Sequence, residues 1–293
     1  MALKCPICLQ KKLPVKYIID NYEILQCENC KLVMLKKKLK FKEVIDLYKN
    51  NYFNNYTNNS GYSSYHSMEK SLRKNFKKRV KKIISQMGKN INLLDVGAGY
   101  GFFVDECLKE NIRAEGLEIS KEALIYSRKK LKIKMHEGII EEFKPSKKYD
   151  VITLWDVIEH IYDPNRFLKI INNSLRKNGF IFLSTGDIDS LLAKISGSKW
   201  HLFNLPEHSY FYSKKTIEKI LNKNGFQVLS VKYPCSRYTL GYILERIFKK
   251  ILRVKNIKKY KKIMNLKIFR TITIPLNFYD IMELKAKKIK NVL

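Results

Sequence analysis

Leu94-Asp95-Val96-Gly97-Ala98-Gly99-Tyr100-Gly101 is the stretch on which the reading of this chain turns. It joins a short apolar run, Leu93-Leu94-Asp95-Val96, to the segment Phe102 to Leu108, whose pattern is helical. A strand that breaks at glycines and restarts as a helix makes a tight turn, where a ligand can approach the backbone. Amides at the start of the helix favour a carboxylate or a phosphate. The next strand, Arg113 to Ile119, closes with Glu118. An acidic residue there, about 20 residues past the loop, is placed to take both hydroxyls of a ribose. The glycine loop by itself is a common turn; the loop together with Glu118 points to a nucleoside ligand.

Outward from this turn, strands and helices alternate. A helical period starts near Met68, with Leu72, Phe76, Val80, Ile83, Ile84 and Met87 on one face. Downstream come a helix over Glu122 to Leu131, a short strand over Lys132 to His136, and a strong strand over Tyr149 to Leu154. Asp163-Pro164 reads as an N-cap with proline at the first helical position, and Gly179 as the end of that helix. Phe180 to Leu183 is the next strand. Ser213 caps a helix that stops near Gly225, and Phe226 to Val231 is a strand again. This alternation predicts an α/β fold with a doubly wound, mostly parallel sheet.

The chain has 293 residues, 45% of them hydrophobic, which excludes a wholly disordered protein. No apolar run approaches the ~18 residues of a membrane span, and Met1 to Pro6 carries no secretory core. A cytoplasmic protein is expected, with cysteines as metal ligands or free thiols rather than disulfides. The net charge of +31 is unevenly placed. Residues 1–90 carry 20 basic against 6 acidic side chains, residues 91–187 carry 15 against 15, and residues 188–293 carry 23 against 6. Basic flanks around a neutral centre suit an anionic partner such as a lipid head group, a phosphorylated carrier or nucleic acid; a solvated lysine-rich surface explains them equally.

Cys5-Pro6-Ile7-Cys8 and Cys27-Glu28-Asn29-Cys30 are two C-x2-C pairs. Two such knuckles can aim four thiolates at one ion, a closed tetrahedral set that suits structural Zn2+, with iron as the lesser alternative. So short a piece has little core of its own, so metal binding is expected to fold it. Lys36-Lys37-Lys38 follows, then an aromatic, asparagine-rich segment with Tyr48, Tyr52, Phe53, Tyr56, Tyr62 and Tyr65. Cys107 and Cys235 read as ordinary buried thiols.

Taken together, the motifs resemble the class I S-adenosylmethionine-dependent methyltransferases. Beyond the loop, Tyr149 to His160 with Asp163-Pro164 looks like that family's fourth-strand motif, and Asn178 to Thr185 like its fifth strand. Trp200, Pro206-Glu207-His208 and Phe211 match a subgroup that carries an N-terminal four-cysteine module, and Asn277 to Leu284 looks like its last strand. The resemblance implies roles residue by residue. Gly97, Gly99 and Gly101 line the methionine end of the cofactor, Asp95 helps hold its amino group, and Glu118 holds the ribose. Ile139 packs on the adenine, and the Trp155 backbone closes the methionine pocket. It also implies that the cysteine module packs as a roof over the substrate cleft.

A hydroxyl acceptor needs a base, and His160, His201 and His208 are the imidazoles downstream of the loop, with His160 and His208 the candidates for catalysis. The bland reading of His160 is a structural histidine at a helix start. Asp156 is a further candidate for contact with cofactor or acceptor. From Leu240 to Leu252 an apolar stripe runs opposite lysines and arginines, a basic amphipathic helix. It reads as a lid helix or as an interfacial contact with anionic lipid. The expected organisation is a zinc-ribbon-like module over 1–35, an aromatic linker and helix over 36–90, a methyltransferase core over 91–237, a basic helical insertion over 238–275, and a last strand and tail over 276–293. The expected activity is methyl transfer to a small-molecule, sugar or glycan-precursor, or lipid-linked acceptor. An RNA methyltransferase gripping phosphate with its zinc module and basic flanks is the alternative, and a binding protein with an inactive domain is the third reading.

Overall fold

The structure is a computed structural model that describes residues 3–39, 43, 68–246 and 266–292. The tyrosine-rich segment from Tyr48 to Tyr65, and the amphipathic stripe from Ile247 onward, lie outside the described residues.

The N-terminal segment forms strands β1 (Val15–Ile19), β2 (Tyr22–Gln26) and β3 (Val33–Leu35). Helix α1 (Glu69–Met87) follows, burying Phe76, Val80 and Ile83 and ending at Gly88. The alternating region then runs β4 (Asn92–Val96), α2 (Phe102–Lys109), β5 (Arg113–Glu118), α3 (Lys121–Tyr126), β6 (His136–Glu137), β7 (Tyr149–Trp155), α4 (Pro164–Ser174) and β8 (Leu175–Gly186). It continues through α5 (Leu191–Ser196), β9 (Tyr210–Phe211), α6 (Lys214–Lys223), β10 (Phe226–Lys232), β11 (Ser236–Thr239) and α7 (Leu240–Arg246). After the undescribed stretch come α8 (Lys267–Thr271), β12 (Thr273–Leu276) and β13 (Ile281–Lys288).

The main sheet has seven strands in the order β10-β13-β8-β7-β4-β5-β6. The pairings from β6 to β8 are parallel, while β13 runs antiparallel to both β8 and β10. The central strands are mostly apolar, as strands covered on both faces are; every residue of β4 is buried, Asn92 and Asp95 included. The doubly wound α/β expectation is met, with one antiparallel strand, β13, set between β8 and the edge strand β10. Order reverses beside β4, so the carboxyl ends of β4 and β7 open a crevice at the switch point.

Asp163 caps α4 as expected, accepting from the amides of Asn165 and Arg166, with proline next. Ser213 and Thr216 form a reciprocal capping box on α6. Three local expectations need correction. Gly179 does not end α4: the helix stops at Ser174, because Leu175 is buried and pairs with Tyr149, and the register shift before Val151 absorbs the extra residues. A Cβ at Gly179 would lie 3.0 Å from the Arg176 carbonyl, so the glycine serves close packing inside the strand. The strand expected over Lys132 to His136 shrinks to His136–Glu137, since Lys132 turns left-handed at φ +61°. Cys107 is buried, but Cys235 is exposed, because it lies on the connection between β10 and β11 rather than in the core.

The N-terminal strands do not stand alone. β3 pairs antiparallel with β9, which adds Tyr210–Phe211 as the fourth strand of their sheet. Cys5, Cys27, Cys30, Leu32 and Met34 share one apolar cluster with Phe167, Ile171, Tyr210, Tyr212 and Leu221. No helix among the described residues is long and apolar enough to cross a membrane.

Candidate active site and metal centre

The glycine loop leaves β4 at Val96 and folds under the tip of β5. Gly97 and Ala98 both donate their amides to the Leu117 carbonyl, at 2.9 and 3.1 Å. Gly97, Gly99 and Gly101 all take positive φ, at +73°, +54° and +83°. This is a conformation that only glycine adopts without strain. A Cβ at Gly97 would lie 2.8 Å from the Val157 side chain, so the loop is closed from above by the segment after β7.

Two carboxyls sit beneath this loop. Asp95, 2% exposed, accepts a 2.6 Å hydrogen bond from the Thr153 hydroxyl on β7. Burial pushes it up to about 7, despite the Thr153 bond and the field of Arg79. Glu118 accepts from the Gly99 amide at 2.7 Å with one oxygen, and from the Ile119 and Ser120 amides with the other. Burial raises its pKa as well, and those amides oppose the shift. Two buried acids under a glycine cradle form a receptor for a ligand that brings positive charge and hydroxyl donors. The sequence-expected Asp95, Gly97, Gly99, Gly101 and Glu118 thus come together in one place.

Ile139, half-buried, follows β6 on the same edge, where Gly138 donates to the Glu118 carbonyl at 3.0 Å. Trp155 closes β7, and its ring lies between side chains of α1 and α2. It packs edge-on against Phe103 at 5.4 Å, and the Arg79 guanidinium lies 4.2 Å above it. The buried Trp155 Nε1 makes no hydrogen bond among the described residues. Asp156 takes φ +56° and is fixed by Ser184, whose hydroxyl donates to its carboxylate at 2.8 Å and accepts from its amide at 3.1 Å.

Glu159, His160 and His208 converge one turn further on, their ligand atoms within 4.8 Å of one another. The Ser209 amide donates to the Glu159 carbonyl at 2.8 Å, which locks the segment after β7 to the strand pairing with the N-terminal module. His160 Nδ1 lies 3.1 Å from the Glu207 carbonyl, so Nδ1 carries the proton and Nε2 is the basic nitrogen. Burial pushes His160 down to about 4, and it pushes Glu159 up to about 8 with help from Asp156. The His160 and His208 rings meet edge to face at 4.5 Å.

Sequence reasoning missed Arg79, and gave His201, Trp200 and the Asn277 to Leu284 strand without their pairings at this end of the sheet. Arg79 on α1 binds Glu283 of β13 at 2.7 Å, with both side chains almost buried. His201 Nε2 meets Asp280 at 2.6 Å, and Trp200 Nε1 donates to the same oxygen at 3.1 Å. Burial opposes the Asp280 charge, but the His201 bond holds its pKa below the usual range. The Asn75 side chain of α1 bonds the Arg237 carbonyl and amide of β11 at 3.0 and 2.8 Å, which ties the insertion carrying Tyr238 to the helix that carries Arg79. These residues come from α1, the β8–β9 connection and the β10–β13 insertion. No spacing in the sequence ties them together.

In the N-terminal module the four expected cysteines cluster. The sulfurs of Cys5 and Cys30 are 3.3 Å apart, those of Cys8 and Cys27 are 3.4 Å apart, and all four lie within 4.8 Å. A disulfide needs about 2.05 Å, while four sulfurs around one ion at about 2.3 Å stand roughly 3.8 Å apart. The bond between Cys5 and Cys30 lowers the Cys5 thiol and raises that of Cys30, so a single thiolate is shared between the paired sulfurs. The set therefore fits a tetrahedral metal ion with soft ligands.

Comparison with known proteins agrees with this geometry. The pattern of the family described as "Methyltransferase domain" matches residues 66–231. A ubiquinone biosynthesis O-methyltransferase from Pelagibacter ubique is 32% identical over 133 residues, covering 43% of this chain and 55% of that protein. Its counterpart from Pasteurella multocida is 30% identical over 145 residues, covering 43% of this chain and 59% of that protein. The chain thus spans little more than half the length of these relatives. Among solved structures, magnesium protoporphyrin IX methyltransferase from Synechocystis, with bound SAH, aligns at TM-score 0.55 and 14% identity over 85% of this chain and 100% of that one. A Burkholderia thailandensis 1,6-didemethyltoxoflavin-N1-methyltransferase aligns at TM-score 0.54 and 13% identity over 94% of this chain and 98% of that one. At these identities the structural likeness concerns the fold.

Proposed function

This chain belongs to the methyltransferase-domain family, and from that premise we propose that it transfers a methyl group from S-adenosylmethionine to an oxygen of a small-molecule acceptor. The observation that carries the reading is the Gly97–Gly101 turn with Asp95 and Glu118 beneath it. The two ubiquinone-biosynthesis relatives, named as O-methyltransferases, support an oxygen acceptor. A sugar, a glycan precursor or a lipid-linked hydroxyl falls within the same chemistry.

The cofactor, when bound, supplies a methyl group already activated on a sulfonium. Asp95 would take its ammonium and Glu118 its ribose hydroxyls, the Gly99 amide yielding or sharing its present bond. Ile139 would pack on the adenine and the Trp155 backbone would close the methionine end. The chain's remaining task is to align the acceptor and exclude water, an effect worth ~7–11 kcal/mol. His160 and His208 are proposed to receive the acceptor proton. With its pKa near 4, His160 is already neutral at pH 7 and needs no deprotonation to act as a base. Cys5, Cys8, Cys27 and Cys30 are proposed to hold one structural Zn2+, a closed site with no position for substrate.

Calorimetry with S-adenosylhomocysteine tests the premise: one molecule is expected to bind per chain, and Glu118→Gln to weaken binding by at least tenfold. Failure of the full chain to bind it would remove the reading. With labelled donor and a small-molecule extract, His160→Ala and His208→Ala are expected to keep product affinity and lose most turnover. The acidic limb of the wild-type rate profile should fall near pH 4, where His160 gains its proton, rather than near 6.5. A limb at 6.5 would assign the base elsewhere.

A further inference from the structure

A groove of about 630 Å³ opens beside the crevice, between α1 and the end of β10. That volume is in the range of small-molecule sites. Its walls are strongly one-sided in charge. Lys78, Lys81 and Lys82 come from α1, Lys232 from β10, and Arg79 lies at the base. The acid in the lining is Glu283, already engaged by Arg79 at 2.7 Å and by Lys82 at 3.3 Å. Among the described residues, Lys78, Lys81 and Lys232 meet no carboxylate.

Lys78 and Lys81 stand three residues apart on α1, a like-charge spacing that costs a helix stability unless something neutralises it. Lysines of two elements, α1 and β10, line one groove and form an electrostatic seat for an anion.

The base of the groove connects to the reaction centre. The Arg79 guanidinium lies 4.2 Å from the ring centre of Trp155, the last residue of β7, and feels the charge of Asp156 beside it. We propose that this groove binds a phosphate-bearing part of the acceptor, held between Lys78 and Lys232 and presented toward the β7 end. Three unneutralised lysines match a group carrying two or more negative charges, which favours a phosphoryl or diphosphoryl group over a single carboxylate. Binding of the anion stands on the groove alone; its identity as part of the acceptor rests on the methyl-transfer reading.

The test uses the full chain and two probes at low salt: inorganic pyrophosphate followed by calorimetry, and phosphatidylglycerol vesicles followed by co-sedimentation. The Lys78→Glu/Lys232→Glu pair changes exposed side chains on opposite walls and should leave folding intact. Lys129→Glu/Lys130→Glu, beyond α3, carries the same charge change outside the groove lining. The groove pair is expected to weaken pyrophosphate binding by at least tenfold, the distant pair by less than twofold, with affinity for S-adenosylhomocysteine unchanged in both. Vesicle binding lost only in the groove pair, without pyrophosphate binding, also supports the site and assigns the phosphate to a lipid head group. Equal losses in the two pairs, or no binding of either probe by the unaltered chain, overturn the proposal. If pyrophosphate binds in the groove but S-adenosylhomocysteine binds nowhere, the methyl-transfer reading fails and the anion site stands.

Discussion

Gly97 is where fold and site meet at the scale of a single residue. It combines φ +73° with a Cβ position 2.8 Å from Val157. Gly97→Ala is therefore expected to cost ~1–3 kcal/mol of strain. Product affinity should drop with it, which calorimetry and thermal melts on the same sample would check. Asp95 gives a prediction with a defined sign. Its folded pKa of about 7 lies above its ordinary 3.8, so the folded state holds a proton that the unfolded chain releases. The stability contribution of this group is complete below pH 4 and lost as pH rises through 7. Asp95→Asn removes that loss. Urea midpoints at pH 5 and pH 8 should show the variant gaining on the parent by a few kcal/mol across that window. These residues were legible in the sequence because a glycine after a strand and an acid at the next strand's end are short-range signals. Arg79 was not: in sequence it is one more cation on a lysine-rich helix.

At the scale of elements, the cysteine module shows what spacing does and does not determine. Two C-x2-C pairs dictate a four-sulfur cluster, and the cluster forms. Their spacing says nothing of β9, the strand from the far side of the chain that completes the sheet. A chelator strong enough to strip the cluster is expected to release one metal ion per chain. It should also lower the melting temperature by about 10 °C, since metal binding is folding free energy for so small a core. Because β3 pairs with Tyr210 and Phe211, the loss should reach His208 beside them, and methyl transfer should fall with it. Unchanged activity after complete metal release would mean that the module is only an appendage. Gly179 shows the opposite case: a glycine after a helical period reads as a helix end, yet the packing of Leu175 starts the strand earlier.

Across the whole molecule, Arg79 and Glu283 tie the first helix of the core to the last strand, 204 residues apart. Both are nearly buried, and burial raises the cost of leaving either charge alone. Glu283→Ala is expected to destabilise the chain by ~3–5 kcal/mol in urea unfolding, and to disturb Trp155 fluorescence through Arg79. Replacing both partners with apolar residues of similar size should recover most of that loss. If the single substitution proves neutral, the pair does not hold the termini of the core together.

The sequence by itself determined the α/β alternation, the glycine turn with its two acids, and the cysteine cluster. Each is written in spacings short enough for backbone geometry to enforce. Only the tertiary structure decided that α1, the β8–β9 connection and the β10–β13 insertion bring Arg79, His201, Asp280 and Tyr238 to one end of the sheet. It also decided that the N-terminal module shares a core with the domain beside it. Such contacts join residues far apart in the chain, and what selects them is the burial of whole faces rather than any local pattern.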